Sequence, residues 1–225
     1  MSFPSVQLAS VTRKTELLAT RALDFRSLVL DKLLPELLDF ELSGCRRYWS
    51  DHPEIQIPRT RLEDAFSYLL GLEGTLHNLK EDHLLRLHRL WVPKSETPFR
   101  ANPVQPLCPN HQPTDPVAIP GAIERLFEWL QSPSFSELHP VEQMTLTQLR
   151  LYEIDPFQDY SEVTSSLFAY SVPLATGHLV PLYAEDNFND FYVGLDKALS
   201  FVTEDLIGFN AQACERAYDF VLDCT

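Results

Sequence analysis

The sequence has few glycines, few basic residues and no long apolar run, and each shortage narrows the class of protein it can encode. Seven glycines among 225 residues is a low count, and few glycines together with many leucines favour helices over a sandwich of short strands. Lys and Arg number 18 against 32 Asp and Glu, so the formal net charge is −14. A chain of this charge is repelled by nucleic-acid backbones and anionic membranes, and we expect neither as a partner.

Cysteine is also scarce. The four cysteines are scattered and form no CxxC pair, so no metal site is predicted and reduced thiols are expected. A secretory signal has a basic region followed by an apolar run, and the N-terminus lacks this pattern. No apolar run approaches the ~20 residues that span a bilayer. These features predict a cytoplasmic protein without a membrane anchor.

What the sequence does contain is helical periodicity, with apolar residues at i, i+3, i+4 and i+7 in several segments. Asn78 and Glu81 match a capping box that would begin one of these helices. Eight of the prolines lie in residues 92–120, so a long loop is predicted there. Helices are predicted over residues 11–49, 59–73, 120–132, 138–153, 161–176 and 188–224, and after the Asn78 cap, where Leu84, Leu87, His88 and Trp91 share one face.

The most informative stretch runs from His139 to Ser166 and reads as a helix, a tight turn and the start of another helix. A helix N-terminus offers unpaired N–H groups and the positive end of the macrodipole, so it can bind phosphate. The turn begins Asp-Pro-Phe-Gln-Asp at Asp155. It resembles the active-site motif of the Fic domain family, which reads H-P-F-x-D/E-G-N-G-R-x-x-R. Further segments in the family's order extend the resemblance over roughly residues 62–202.

The resemblance implies an all-α fold, a Fic-like helical bundle with a long Pro-rich loop or a small β-hairpin flap. It divides the chain into an N-terminal helical segment packed on the core (1–60), a Fic-like helical domain (61–205) and a C-terminal helix (206–225). Phe99, Arg100 and Val104 match the flap that docks the target peptide in the family. Glu73 and Gly74 match a remnant of its inhibitory motif.

Members of the family mostly transfer AMP from ATP to a hydroxyl side chain of a target protein. Asp155 takes the position of the histidine that acts as general base, and Asp159 that of the acid that helps to hold Mg²⁺. The remaining motif positions belong to the phosphate-binding Gly-Asn-Gly and to two arginines. In this chain they are filled by Tyr160, Ser161, Glu162, Val163 and Ser166.

These replacements remove most of the chemistry that the resemblance implies. An aspartate of ordinary pKa is a poorer base at neutral pH than a histidine. Glu162 places a negative charge where phosphate would bind, and two like charges ~4 Å apart repel by roughly 4 kcal/mol at an effective dielectric of 20. The leading hypothesis is therefore a catalytically degenerate Fic-like protein that acts by binding or regulating another protein, without a cofactor.

Two alternatives stay open. The first is an active AMP transferase with ATP and Mg²⁺ as cofactors, in which Asp155 is the base and Asp159 holds the metal within a carboxylate cluster completed by Glu162. The second is a structural or regulatory subunit of an oligomer, and a homodimer is included because family members often dimerise. Helix-end physics explains the same residues without chemistry: Asp159 or Ser161 caps the helix, and Val163 packs inward.

Overall fold

The computed structural model of the chain describes residues 4–20, 28–36, 59–72, 78–93, 97–108, 110–183 and 188–223. Over these ranges the regular secondary structure is helical and no strand occurs, which confirms the predicted all-α class. None of the helices found there is long and apolar enough to cross a membrane. The helices are α1 (Pro4–Thr20), α2 (Arg59–Leu70), α3 (Glu81–Trp91), α4 (Ile119–Leu130), α5 (Pro133–Ser136), α6 (Pro140–Ile154), α7 (Ser161–Ala175), α8 (Phe188–Leu199) and α9 (Glu204–Asp223).

Helices α6 and α7 form the centre of the molecule. They pack on each other, and α6 also contacts α4, α8 and α9 while α7 contacts α2 and α3. Every residue of α7 from Val163 to Ala175 is buried, which is typical of a helix enclosed on all sides. The turn between these two helices is the stretch that the sequence singled out, so the candidate site lies at one end of the central helix pair.

Helix α1 packs against α9. The hydroxyl of Thr15 donates a 2.7 Å hydrogen bond to the hydroxyl of Tyr218, and the ammonium of Lys14 lies 2.7 Å from the carboxylate of Asp219. The division of the chain into domains stays a prediction. Its boundary at 205/206 falls inside a helix, because α9 already begins at Glu204.

Two local predictions were wrong. Helix α3 begins at Glu81 rather than directly after Asn78, and the backbone N–H of Lys80 donates to Nδ1 of His83 at 3.0 Å. The β-hairpin alternative for the flap is also wrong, since residues 97–108 are bends and irregular backbone. Prolines at 98, 103 and 106 supply no backbone donor for a strand ladder, so the Pro-rich loop alternative holds.

Candidate functional site

The turn that joins α6 to α7 is shaped by two residues in the left-handed region. Asp155 has φ 47° at the end of α6, and Tyr160 has φ 57° immediately before α7. Aspartate and histidine are both enriched in this region, so position 155 accepts either without changing the turn. Glycine is the residue that favours it most, which is the residue type of the resembled motif at position 160. The backbone conformation at positions 155 and 160 is therefore compatible with the residue types of the resembled motif.

Asp155 is partly buried and held on its main chain. Its N–H donates to the carbonyl oxygen of Leu151 at 2.8 Å, and its own carbonyl accepts a 2.6 Å hydrogen bond from Nε of Arg100. Burial raises the pKa of the Asp155 carboxyl, while a hydrogen bond with Ser161 and the nearby charges of Arg100 and His111 oppose the rise. A raised pKa makes this carboxylate a stronger proton acceptor than an exposed aspartate.

The next motif residue with a structural role is Phe157, which is 1% exposed. Its ring stacks on the imidazole of His88 from α3, and the ring of Phe99 packs at 6.0 Å from it. Nε2 of His88 lies 3.2 Å from the carbonyl oxygen of Asp159 and donates to it. Burial lowers the pKa of His88, so its neutral form is favoured. These contacts fix the turn against α3.

Arg100 is 5% exposed and anchors the same turn from the Pro-rich loop. Its N–H donates to the carbonyl of Pro156 at 2.9 Å. Within the part of the chain that the structure describes, its guanidinium donates to backbone carbonyl oxygens, those of Asn102, Thr114, Ile154 and Asp155. A guanidinium surrounded by carbonyls is used for structure and is not aimed at an anion. Whether Phe99, Arg100 and Val104 dock a peptide stays a prediction.

The first turn of α7 contains the positions that correspond to the phosphate-binding residues of the resembled motif. The hydroxyl of Ser161 accepts a 3.3 Å hydrogen bond from the N–H of Phe157, and a carboxylate oxygen of Glu162 accepts one of 3.2 Å from the Tyr192 hydroxyl of α8. Val163 is 4% exposed and packs inward, as expected. The residue at the cap position is Tyr160, and its side chain makes no capping bond, so the prediction of a cap by Asp159 or Ser161 was wrong.

Sequence reasoning missed a buried polar network behind this turn. The hydroxyls of Ser166 and Tyr152 lie 2.6 Å apart, and the side-chain amide of Gln148 donates to both, at 3.2 and 3.1 Å. The network continues through Asn210 of α9, which donates to Thr145 at 3.0 Å. Ser166 therefore satisfies neighbouring hydroxyl and amide groups at the position where the resembled motif has its second arginine.

A cleft of about 220 Å³ opens beside the turn, between the end of α3 and the Pro-rich loop. The three motif carboxylates do not join into a metal site: in the described ranges no three His, Cys, Asp or Glu side chains form a group that could hold a metal ion. Whether Asp159 holds Mg²⁺ together with the phosphates of a nucleotide, as the transferase alternative requires, stays a prediction. Glu73 and Gly74 lie outside the described residues. The cleft is lined by His88, Val92, Phe99, Arg100, Asn102, Phe157, Gln158 and Asp159, among others.

Comparison with known proteins agrees with this arrangement. No family model matches the chain. Protein adenylyltransferase Fic of Drosophila yakuba is 28% identical over 146 residues, which cover 63% of this chain and 29% of that protein. The protein of the same name in Nematostella vectensis is 25% identical over 169 residues, or 73% and 39% of the two chains. The chain thus spans about a third of the length of the curated relatives it matches.

Solved structures show the fold. Fic-1 of C. elegans, residues 134–508, superposes with a TM-score of 0.75 at 14% identity and covers 98% of this chain and 72% of that one. A Fic domain containing signaling protein from Bacteroides thetaiotaomicron gives a TM-score of 0.65 at 13% identity, covering 96% and 97%. The all-helical bundle with its turn between two central helices is the Fic fold. Over part of its length the chain is also similar in sequence to the adenylyltransferases named Fic.

Proposed function

We propose that this chain is a catalytically degenerate Fic protein that acts by binding another protein and does not transfer AMP. The observation that carries the proposal is the charge of the motif turn. Between Asp155 and Ser166 the sequence has three carboxylates and no Lys or Arg. A triphosphate in this turn would meet negative charge without a compensating cation, and a repulsion of roughly 4 kcal/mol lowers affinity about a thousandfold.

The side chains around the turn support the same conclusion. Val163 and Ser166, at the two arginine positions of the resembled motif, are buried, so these positions contribute packing and a hydroxyl network. Arg100 is buried beside the turn, and its guanidinium donates to backbone carbonyls. The helices around the turn are those of the Fic fold, while other residue types replace the phosphate-binding groups of the resembled motif. This combination supports a role in protein binding.

Isothermal titration of the chain with ATP and Mg²⁺ tests the proposal. We expect no binding tighter than ~100 μM, in line with the estimated loss, and no transfer of labelled AMP to the chain or to added protein. Binding below that value that disappears in Asp159→Ala would contradict the proposal. A revertant that restores the family residues at 155 and 160–163 tests the frame, since it should recover nucleotide binding where the wild type has none.

One observation favours the second candidate, an AMP transferase with altered chemistry. Burial raises the pKa of Asp155, which is what a carboxylate general base requires. Under this candidate the cofactors are ATP and Mg²⁺, and Asp155→Asn abolishes transfer while preserving the left-handed turn, because asparagine adopts that conformation readily. Transfer that survives Asp155→Asn would remove the candidate.

The proposed compartment is the cytoplasm. Among the described cysteines, Cys108 and Cys214 are buried free thiols, and burial raises the pKa of both, to about 11 and about 12. Thiols of this kind stay protonated and unreactive. Localisation of a tagged chain in cell fractions would test this part of the proposal.

A further inference from the structure

The turn between α8 and α9 contains an aromatic residue in a position that favours glycine. Phe201 has φ 67°. Its N–H donates to the carbonyl of Ala198 at 2.9 Å, and the N–H of Val202 donates to that of Lys197 at 3.0 Å. These are the two bonds of a Schellman motif, whose left-handed residue is usually glycine. A bulky side chain there costs roughly 1–2 kcal/mol, so the local backbone does not explain a phenylalanine.

Burial does not explain it either. The Phe201 side chain is 85% exposed, and Val202 beside it is 50% exposed. We call Phe201 and Val202 the Phe201 patch. Outliers of backbone conformation that no internal contact supports cluster at functional sites.

The surroundings of the Phe201 patch are acidic. Between Phe188 and Asn210 the sequence has four carboxylates, Asp190, Asp196, Glu204 and Asp205, and one cation, Lys197. The ammonium of Lys197 already lies 2.6 Å from the carboxylate of Asp205. Glu204 is exposed at the start of α9. The charge around the patch matches a positively charged partner and opposes a second copy of this chain, whose net charge is −14.

We propose that the Phe201 patch docks a positively charged amphipathic segment of another protein, an inference that rests on the proposed binding role. The apolar side chains of the segment pack on the ring of Phe201 and on Val202. Its Lys or Arg residues face Glu204 and Asp205 at the rim. An exposed aromatic centre with a charged rim is the usual anatomy of an interface, and an amphipathic helix is a common way to cover one.

A displayed library of 16-residue peptides, selected on the full chain at low ionic strength, provides the probe. We expect the recovered peptides to combine apolar residues with net positive charge. A fluorescein-labelled copy of one should bind Phe201→Gly at least tenfold more weakly than wild type. Phe201→Gly is a clean variant because glycine suits the turn, so its melting temperature should rise by about 2–4 °C.

Two further variants separate the patch from general stickiness. Val117→Ser removes an apolar side chain that is 91% exposed elsewhere, and it should leave the affinity within twofold. Glu204→Lys should weaken binding severalfold, and added salt should do the same to the wild type. The proposal is overturned if no peptide is recovered, if the peptides carry no positive charge, or if they bind Phe201→Gly as well as wild type.

Sedimentation of the free chain provides the remaining outcome. A dimer that Phe201→Gly dissociates would assign the patch to a second copy and overturn the proposal. The nucleotide titration is independent of these measurements. ATP binding would refute the degenerate function and leave the peptide result unchanged, whereas unselective peptides with no ATP binding would refute the patch alone.

Discussion

The ring of Phe157 lies flat on the imidazole of His88, with centroids 3.9 Å apart and planes 6° apart. Phe157 belongs to the turn between the central helices and His88 to α3, so the stack joins two elements that are distant in sequence. The same imidazole donates to the carbonyl of Asp159 at 3.2 Å. The His88 side chain thus holds the motif turn in two ways, by stacking on Phe157 and by a hydrogen bond to the carbonyl of Asp159.

Replacing His88 by alanine should destabilise the protein by about 2–4 kcal/mol. The substitution leaves a cavity beside a buried aromatic ring and an unpaired carbonyl. Urea denaturation at pH 7.5 measures the change. Arg89→Ala is the matched control, because Arg89 is exposed on the same helix, and it should change stability by less than about 0.5 kcal/mol. Similar losses in both variants would show that the stack contributes little.

Arg100→Met should cost about 3 kcal/mol, because the carbonyls that face the buried guanidinium lose their donor. Arg100→Lys should not rescue it, since one ammonium cannot reproduce the fork of a guanidinium. Amide exchange adds a local readout: the N–H of Arg100, bonded to Pro156, should exchange faster in both variants. The exposed Arg125 supplies a control, and a lysine variant of wild-type stability would contradict the anchoring role.

The hydrogen-bond partners of Arg100 could not be predicted from the sequence. Apolar periodicity was enough to predict the helices around the site, because burial of one face is encoded locally. The partners of Arg100 are carbonyls of residues 102, 114, 154 and 155, which no local pattern brings together. Sequence reasoning therefore assigned Arg100 to a flap without these partners, and in the structure its side chain is buried.

The buried polar network behind the turn could not be predicted from the sequence for a related reason. Gln148 and Ser166 are polar residues in helices, and a helical pattern places such residues in solvent. They can be buried because they find hydrogen-bond partners there. The hydroxyl of Tyr152 bonds to both, and the side-chain amide of Asn210 in α9 bonds to Gln148. The frame of the turn was easier to predict, since the motif glycine position coincides with the positive φ of Tyr160.

Tyr160→Gly should leave stability within about 1 kcal/mol of wild type. Glycine relieves the left-handed conformation by roughly 1 kcal/mol, and this gain offsets the lost contact with Trp91, whose ring lies 6.3 Å from that of Tyr160. Tyr160→Val loses the same ring and adds a β-branched side chain at positive φ, so it should cost at least about 2 kcal/mol. Thermal unfolding compares the two variants, and equal midpoints would contradict the strain at this position.

Acid should destabilise the protein through His139, which begins α6. Its Nδ1 accepts a 3.2 Å hydrogen bond from the N–H of Val141, and its Nε2 lies 3.0 Å from the hydroxyl of Thr12 in α1. Burial, and secondarily the charge of His178, lowers the pKa of His139 to about 4. Because the folded-state pKa lies below the unfolded value near 6.5, the unfolded chain takes up a proton first as the pH falls. The stability is complete above pH 6.5 and decreases from there towards pH 4.

His139→Asn isolates this contribution. Asparagine keeps a side-chain acceptor at the cap but does not titrate. The difference in unfolding free energy between pH 7.5 and pH 4.5 should be smaller in the variant by about 1–2 kcal/mol, after allowance for the partial exposure of the ring. Urea denaturation at the two pH values gives this number. Parallel pH profiles for variant and wild type would rule out His139 as the source.

Restoring an arginine at position 166 should be far more damaging than removing its side chain. Ser166→Ala leaves Tyr152 and Gln148 bonded to each other and should cost about 1 kcal/mol. Ser166→Arg places a guanidinium among buried hydroxyls and should cost more than about 3 kcal/mol. Thermal unfolding of both variants, beside Ser67→Arg on the exposed face of α2, separates burial from a general effect of arginine. If Ser166→Arg proved as stable as the control, the network would give way to a cation, and the charge argument against polyphosphate binding would then have to be abandoned.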